Sequence, residues 1–218
     1  MPKSELARRN MVDCQIRPAD VTDPRIISAM GSVLRELFVP EDKRSTAYGE
    51  GHIEIAPHRY LLDPLTFCVL LKAAEIKSEE VVLIIGGGDG YSGAVISRLA
   101  DAVLSLESDA VLAANAAGQL DSLGVDTIAM LTGPLAAGYS KQAPYDVIFV
   151  NGAVACNIST LTGQLRDGGR LVCVEYEGSV GRVILYRRDG NSVAGRPVRD
   201  LGAPILPGFE KTPSFQFD

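Results

Sequence analysis

The chain has 218 residues, 46% of them hydrophobic and 22% charged, the balance of an ordinary globular protein with enough residues for a sizeable core. Its formal net charge of −6 argues against a general nucleic-acid binder, because there is no excess of Lys and Arg to neutralise phosphates. No run approaches the roughly 18 apolar residues that span a membrane, and the charged N-terminus lacks an apolar signal segment. We therefore expect a cytoplasmic protein with neither a nucleic-acid nor a membrane partner.

The first 75 residues are predicted to form a helical, loop-rich section. Asp23-Pro24 and Asp63-Pro64 each pair a capping carboxylate with a proline at the first helical position, so each predicts a helix start. The predicted elements are helices over 4–16, from Pro24 onward and over 65–74, and a long polar loop over 41–60.

From residue 81 onward, short apolar runs alternate with helical segments of about ten residues, which predicts a mostly parallel α/β sheet. The predicted strands are 81–85, 103–106, 127–131, 145–150 and 170–174. The predicted helices are 92–100, 109–122 and 157–166, and a turn is expected at 167–169. Asp189-Gly190 predicts a hairpin between 183–187 and 192–198, hence an antiparallel edge, and the proline-containing tail at 204–213 is expected to be extended.

The four cysteines lie far apart and form no CxxC pair, which favours reduced, buried thiols over disulfides or a metal site. They are Cys14, Cys68, Cys156 and Cys173. His52 and His58 stand six residues apart in the predicted loop without a third ligand nearby, so we expect no metal centre.

The run Val81–Ile85 followed by glycines predicts a corner at which bare backbone can approach a nucleotide closely. Two registers are possible. Gly88–Gly93 is a literal GxGxxG, typical of dinucleotide binding, whereas Gly86–Gly90 is a GxGxG that begins directly at the strand end. The second register fits better and favours an S-adenosylmethionine site over NAD. Glu107, at the end of the next strand, can accept both ribose hydroxyls, although it could also be a solvated or helix-capping residue.

Beyond these patterns, the chain resembles the protein-L-isoaspartate O-methyltransferase family over most of its length, and within it a divergent bacterial branch. The segments that carry the resemblance are 9–18, 23–30, 35–40, 82–92, 144–150 and 165–172. The resemblance implies a Rossmann-like methyltransferase sandwich with a seven-stranded, mostly parallel sheet, an antiparallel edge and a helical N-terminal extension. It also implies one domain over 1–218, divided into an N-terminal section (1–75), a cofactor-binding core (76–175) and a C-terminal hairpin and tail (176–218).

The resemblance further implies a chemistry: transfer of the methyl group of S-adenosylmethionine to the carboxyl of L-isoaspartyl residues in damaged proteins. A carboxylate is already a nucleophile and a sulfonium is already activated, so alignment in a closed pocket suffices and no catalytic acid or base is expected. The cofactor-binding residues implied are Gly86, Gly87, Gly88, Asp89, Gly90 and Glu107. The substrate-binding residues implied are Tyr60, Leu62 and Asn151.

The sequence departs from the family's pattern at several polar positions. Ile84 stands where the family usually carries an acid, and Pro134 stands where an aspartate usually follows the third strand. Tyr60 and Leu62 replace the hydroxyl-bearing residues of the substrate loop. These departures keep a second hypothesis open: an inactive methyltransferase-fold protein that binds a partner or another adenine-containing ligand. An NAD(P) oxidoreductase is a third.

Overall fold

The structure is a computed structural model that describes residues 3–211. The helices are α1 Lys3–Met11, α2 Pro24–Ser32, α3 Pro64–Ala74, α4 Tyr91–Ile96, α5 Ala110–Ser122 and α6 Ser159–Thr162. The strands are β1 Ile53–Ala56, β2 Arg59–Leu61, β3 Val81–Ile85, β4 Ala102–Glu107, β5 Ile128–Thr132, β6 Tyr145–Val154, β7 Leu165–Glu177, β8 Val180–Asp189 and β9 Ser192–Asp200. None of the described helices is long and apolar enough to cross a membrane.

Seven strands form one sheet in the order β5-β4-β3-β6-β7-β8-β9. The pairs from β5 to β7 are parallel, and β7-β8 and β8-β9 are antiparallel. This confirms the predicted fold class. The chain runs outward from β3 through β4 to β5 and then returns to the other side of β3 at β6. The strand order therefore reverses between β3 and β6, and open α/β sheets bind ligands at such a reversal, beyond the carboxyl ends of the strands.

The central strands are buried on both faces, which explains their continuous apolar runs. Val82 and Ile84 contribute to a core shared with α3, α4 and the N-terminal section, whereas Leu83 and Ile85 pack on the opposite face. On the first face, the ring of Phe67 lies 5.5 Å from that of Tyr91 and 5.7 Å from that of Phe149. This packing fixes α3 and the start of α4 against β6.

Both predicted proline helix starts are confirmed. Asp23 accepts the backbone N–H of Arg25 at the start of α2, and Asp63 accepts that of Thr66 at the start of α3. Each proline takes the first helical position, where its missing N–H removes no helical bond.

Four local predictions were wrong. The predicted loop 41–60 contains a 3-10 segment at Glu41–Thr46 and the β1-β2 hairpin, whose two-residue turn is Pro57-His58. The predicted helix 92–100 ends as an α-helix at Ile96, and the N–H groups of Arg98 and Leu99 then bond to carbonyls three residues back. The predicted helix 157–166 is reduced to the single turn α6, and the turn at 167–169 lies within the irregular start of β7.

The cysteines are partly as expected. All four lie in the described part of the chain and are free thiols. Cys68 and Cys173 are buried, but Cys14 is exposed and Cys156 is only partly covered, so the prediction of buried thiols was wrong for these two. Cys14 follows the short helix α1, where the chain lies on the surface. The tail was predicted to be extended; it lies outside the helices and strands, but a turn at Pro207-Gly208 interrupts it, and Pro213 lies outside the described residues.

Candidate active site

The carboxyl ends of β3, β4 and β6 meet at one level of the sheet. Ile85 pairs with Leu106 on one side and with Val150 on the other. The next residues of these strands are therefore neighbours, and they are three of the predicted site residues: Gly86, Glu107 and Asn151. Register thus brings together residues separated by up to 65 positions in the chain.

The glycine turn is required by the close approach of β4. A Cβ atom on Gly88 would collide with the Glu107 carboxylate and lie 2.7 Å from Leu112 Cδ2, and one on Gly87 would collide with Ser105 Oγ. Gly86 and Gly90 have φ values of +81° and +70°, which side-chain-bearing residues rarely adopt. The glycines therefore let the turn pack directly on the neighbouring strand.

Glu107 is fully buried, and five donors surround its carboxylate. Oε2 accepts from Gly88 N–H at 3.0 Å and from Arg59 Nη2 at 2.6 Å. Oε1 accepts from Ser108 N–H at 2.7 Å, Ser108 Oγ–H at 3.0 Å and Asp109 N–H at 3.2 Å. A carboxylate offers about four lone-pair sites, so its acceptor capacity is filled by the protein's own groups. The alternative of a solvated glutamate is wrong, and Asp109 rather than Glu107 caps α5.

Arg59 is a site residue that the sequence reasoning missed. It belongs to β2, is only 5% exposed, and donates through Nη2 to the Gly86 carbonyl at 2.9 Å as well as to Glu107. Its Nε atom is buried and has no acceptor among residues 3–211. The available signal was a cation inside the apolar end of the predicted substrate loop, directly before Tyr60-Leu61-Leu62.

A second polar cluster joins Asn151 to the turn. Asn151 Nδ2 donates to Asp89 Oδ2 at 2.8 Å and to the Gly86 carbonyl at 3.2 Å. Asp89 Oδ1 accepts both the backbone N–H and the hydroxyl of Ser92. Burial raises the pKa of the Asp89 carboxyl, although these hydrogen bonds oppose the rise. Asn151 thus contacts the glycine turn, and its Oδ1 is buried with no donor in the described part of the chain.

The C-terminal segment covers the corner from the other side. Leu206 N–H donates to the Ala153 carbonyl at 2.9 Å, and Ala153 N–H donates to the Pro204 carbonyl at 2.8 Å. A Cβ atom on Gly86 would lie 2.9 Å from Leu206 Cδ2, and one on Gly152 would lie 2.7 Å from Leu206 Cγ. The Leu206 side chain therefore rests directly on the two glycines, a contact that no sequence pattern predicted.

The two remaining predicted substrate residues lie in the hairpin region. Tyr60 is half-buried and adjoins Arg59 in β2, so strand alternation places their side chains on opposite faces. Leu62 is 1% exposed, and its carbonyl accepts from the fully buried Arg35, which also donates to the Ala47 carbonyl at 2.6 Å. Arg35 thereby fixes both ends of the segment 47–62. The side chain of Leu62 is in the core rather than in an open site.

An open cavity of about 260 Å³ adjoins the turn at Gly88 and Asp89. Apolar residues of the segment 37–40 and of α5 line it, together with the amides of Asn115 and Gln119. Ligand pockets usually measure about 300–1,000 Å³. The cavity is therefore small for a nucleoside ligand while Arg59 and Leu206 lie against the rest of the corner.

Apolar residues occupy two positions at which the family usually carries an acidic side chain. Ile84 is fully buried in the core face shared with α3, and Pro134 precedes a short 3-10 turn at Leu135–Ala137. The polar groups at this corner are therefore the backbone of the turn, Glu107, Asp89 and Asn151. A mostly parallel sheet with a glycine turn and a buried acid at its point of reversal defines the class: a Rossmann-like α/β protein.

Comparisons with known proteins identify the family. Residues 7–198 match the family described as protein-L-isoaspartate(D-aspartate) O-methyltransferase (PCMT). A protein-L-isoaspartate O-methyltransferase of Methanoregula boonei is 34% identical over 190 residues, 87% of each chain. That of Syntrophus aciditrophicus is 37% identical over 172 residues, 79% of each chain. This chain belongs to the protein-L-isoaspartate O-methyltransferase family.

Solved structures agree on the fold. A protein-L-isoaspartate O-methyltransferase matches 92% of this chain and 66% of its own, with a TM-score of 0.79 and 23% identity. A second match, with a TM-score of 0.78 and 16% identity, covers 91% of this chain and 97% of the other. That second structure is a putative protein-L-isoaspartate O-methyltransferase from Plasmodium falciparum in complex with S-adenosyl-L-homocysteine.

Proposed function

We propose that this chain transfers the methyl group of S-adenosylmethionine to the free carboxyl of L-isoaspartyl residues in damaged proteins and so acts in protein repair. The observation that carries the proposal is the glycine turn packed on Glu107 at the sheet's point of reversal, in a chain whose residues 7–198 match this family. The complex of the Plasmodium falciparum relative with S-adenosyl-L-homocysteine supports the choice of cofactor. Isoaspartyl-containing proteins are the proposed partners, and a cytoplasmic location remains a prediction.

The proposed cofactor-binding groups are the backbone of Gly86, Gly87, Gly88 and Gly90, with Asp89 and Glu107. The glycines and the buried carboxylate fit a nucleoside, because backbone without side chains and a ribose-accepting acid meet at one edge. The side chains of Arg59 and Leu206 do not fit it in the described conformation, since they lie against Gly86, Gly152 and Glu107.

The chain's own contribution to the reaction is alignment. When bound, the cofactor supplies a methyl group on an activated sulfonium. The acceptor carboxylate is the nucleophile and needs no base, so the residues of the site need only hold it in line and exclude water. We propose Asn151 and Tyr60 for the acceptor side, where Asn151 contacts the glycine turn through the Gly86 carbonyl; the core position of the Leu62 side chain does not fit the role that the resemblance implied.

The test is transfer of labelled methyl from S-adenosylmethionine to an isoaspartyl peptide, with the same peptide carrying a normal aspartyl residue as control. We expect label in the isoaspartyl peptide alone. Glu107→Gln, which keeps the shape but not the charge, should weaken S-adenosyl-L-homocysteine binding by about tenfold or more, the value of one lost charged hydrogen bond. The exposed Glu177→Gln is the matched control and should behave as wild type.

Two results would contradict the proposal. Cofactor binding without methylation of any isoaspartyl peptide would show a methyltransferase with a different acceptor. Absence of S-adenosyl-L-homocysteine binding at millimolar ligand in every variant, with folding confirmed by circular dichroism, would leave the inactive binding protein as the better hypothesis.

A further inference from the structure

Two side chains from distant parts of the chain converge on Gly86. Arg59 reaches it from the β1-β2 hairpin and Leu206 from the C-terminal segment, and both are nearly completely buried. Neither residue belongs to a strand of the sheet that forms the corner. They therefore occupy the corner without being needed to form it.

The Glu107 carboxylate cannot serve Arg59 and a ribose at once. Oε1 already accepts from three donors, and the roughly two lone-pair sites of Oε2 are taken by Gly88 N–H and Arg59, so a ribose hydroxyl can bond to Oε2 only when one of these two donors leaves. The donors from Ser108 and Asp109 are adjacent in the chain, and Gly88 N–H belongs to the turn itself. Arg59 is the one donor that comes from a separate element, so it is the one that a ligand can displace.

The contacts of Arg59 are also incomplete. It binds Glu107 through a single nitrogen, Nη2, and not in the two-pronged manner that arginine favours with carboxylates. Its buried Nε has no acceptor within residues 3–211. It sits in a three-residue strand paired only with the four-residue β1, so a small shift of this hairpin releases it.

We propose that Arg59 is a built-in competitor of the cofactor for Glu107, assisted by Leu206, and that it sets the affinity of the corner. Cofactor enters only in molecules from which Arg59 has withdrawn. The apparent dissociation constant is then the intrinsic one divided by the fraction of molecules in the open state, so a competitor bound in about 90% of molecules weakens binding about tenfold. This inference rests on the proposed function, because it takes S-adenosylmethionine as the ligand.

The test is calorimetric titration with S-adenosyl-L-homocysteine, which reports affinity without turnover. Arg59→Gln removes the cation and should bind about tenfold or more tightly than wild type. Arg59→Lys keeps a cation within reach of Glu107 and should stay closer to wild type. Leu206→Ala should give a smaller gain than Arg59→Gln, because it frees space but leaves the carboxylate occupied.

The matched control is Arg170→Gln, which breaks a second buried pair of the same length, Arg170–Glu80, away from the corner. It should lose stability but keep wild-type affinity. If it does not fold, Arg187→Gln, from the exposed pair Arg187–Glu75, takes its place.

The outcomes separate the inference from the proposed function. Unchanged affinity in Arg59→Gln overturns the inference, and weaker affinity also overturns it by showing that Arg59 contacts the cofactor. Tighter binding in Arg59→Gln supports it even if no isoaspartyl peptide is methylated, in which case only the proposed acceptor fails. No binding by wild type or by Arg59→Gln overturns the inference and the cofactor assignment together.

Discussion

Two buried Arg–Glu pairs lie at opposite ends of the central strand β3. Glu80 immediately precedes the strand and pairs with Arg170, whereas Glu107 lies beyond its carboxyl end and pairs with Arg59. In each pair an arginine Nη2 lies 2.6 Å from a carboxylate oxygen, and each arginine is 5% exposed. By distance and burial alone the two pairs are equivalent.

Their hydrogen bonds differ. Arg170 donates to both oxygens of Glu80, at 2.9 and 2.6 Å, and also to the carbonyls of Ala74 and Glu75 at the end of α3. Arg59 uses one nitrogen and leaves Nε without an acceptor among the described residues. The guanidinium of Arg170 makes all of these hydrogen bonds and so has a structural role, joining α3 to the sheet. A partly engaged one at a glycine turn is suited to exchange with a ligand.

The largest expected effect is a loss of stability when the Arg170–Glu80 pair is broken. Glu80→Gln leaves the Arg170 charge buried without its partner and should lower the free energy of unfolding by about 3–5 kcal/mol. Arg59→Gln should cost less, about 1–3 kcal/mol, because Glu107 keeps its other donors. Urea unfolding at neutral pH measures both. An equal loss at the two ends would show that Arg59 is as structural as Arg170.

A smaller effect is expected from closing the space around Glu107. Gly88→Ala places a methyl group against the Glu107 carboxylate and Leu112 and should lower the free energy of unfolding by about 1–3 kcal/mol. Gly118→Ala, within α5 and with nothing within 4 Å of the added Cβ, should raise it by about 0.5–1 kcal/mol. Thermal unfolding of both variants compares them. A neutral Gly88→Ala would mean that the corner is more open than these contacts indicate.

The contrast also shows which parts of the structure could be predicted from the sequence. The sheet could be predicted because the buried strands are apolar runs and the connecting helices are short. Glu107 was assigned to the glycine corner because it ends the next strand along the chain, whereas Asn151 was implied only by the family resemblance. The sheet and the position of Glu107 need only local patterns and one general rule of topology.

The occupants of the corner could not be predicted in the same way. Arg59 contacts Glu107, 48 residues further along the chain, and lies in the β1-β2 hairpin. The polar, glycine-containing sequence around this hairpin had predicted a loop. Leu206 lies in a tail outside the helices and strands, and its contact with Gly86 depends on hydrogen bonds to Ala153 near the carboxyl end of β6. Nothing in the composition of either segment encodes its partner.

The smallest expected effect is the pH dependence of the protein's stability that arises from His52, in the segment that leads into the β1-β2 hairpin. Asp63 N–H donates to His52 Nδ1 at 3.1 Å, so this nitrogen carries no proton and the ring is neutral. The Asp63 carboxylate oxygen 3.2 Å from Nδ1 is therefore not part of an ion pair. Burial lowers the pKa of His52, and the Asp63 charge opposes this only in part.

The sign follows from the lowered pKa. Between the folded pKa and the unfolded value of about 6.5, the unfolded chain binds the proton more readily, so stability is lost as the pH falls through this window. We expect a loss of about 1 kcal/mol or less between pH 7.5 and 5.5, and a flatter profile in His52→Gln, whose amide oxygen can still accept from Asp63. Urea midpoints across this range measure it. Because Arg170 and Glu80 do not contact His52, Glu80→Gln should keep the wild-type slope; parallel slopes in wild type and His52→Gln would show that His52 does not carry the effect.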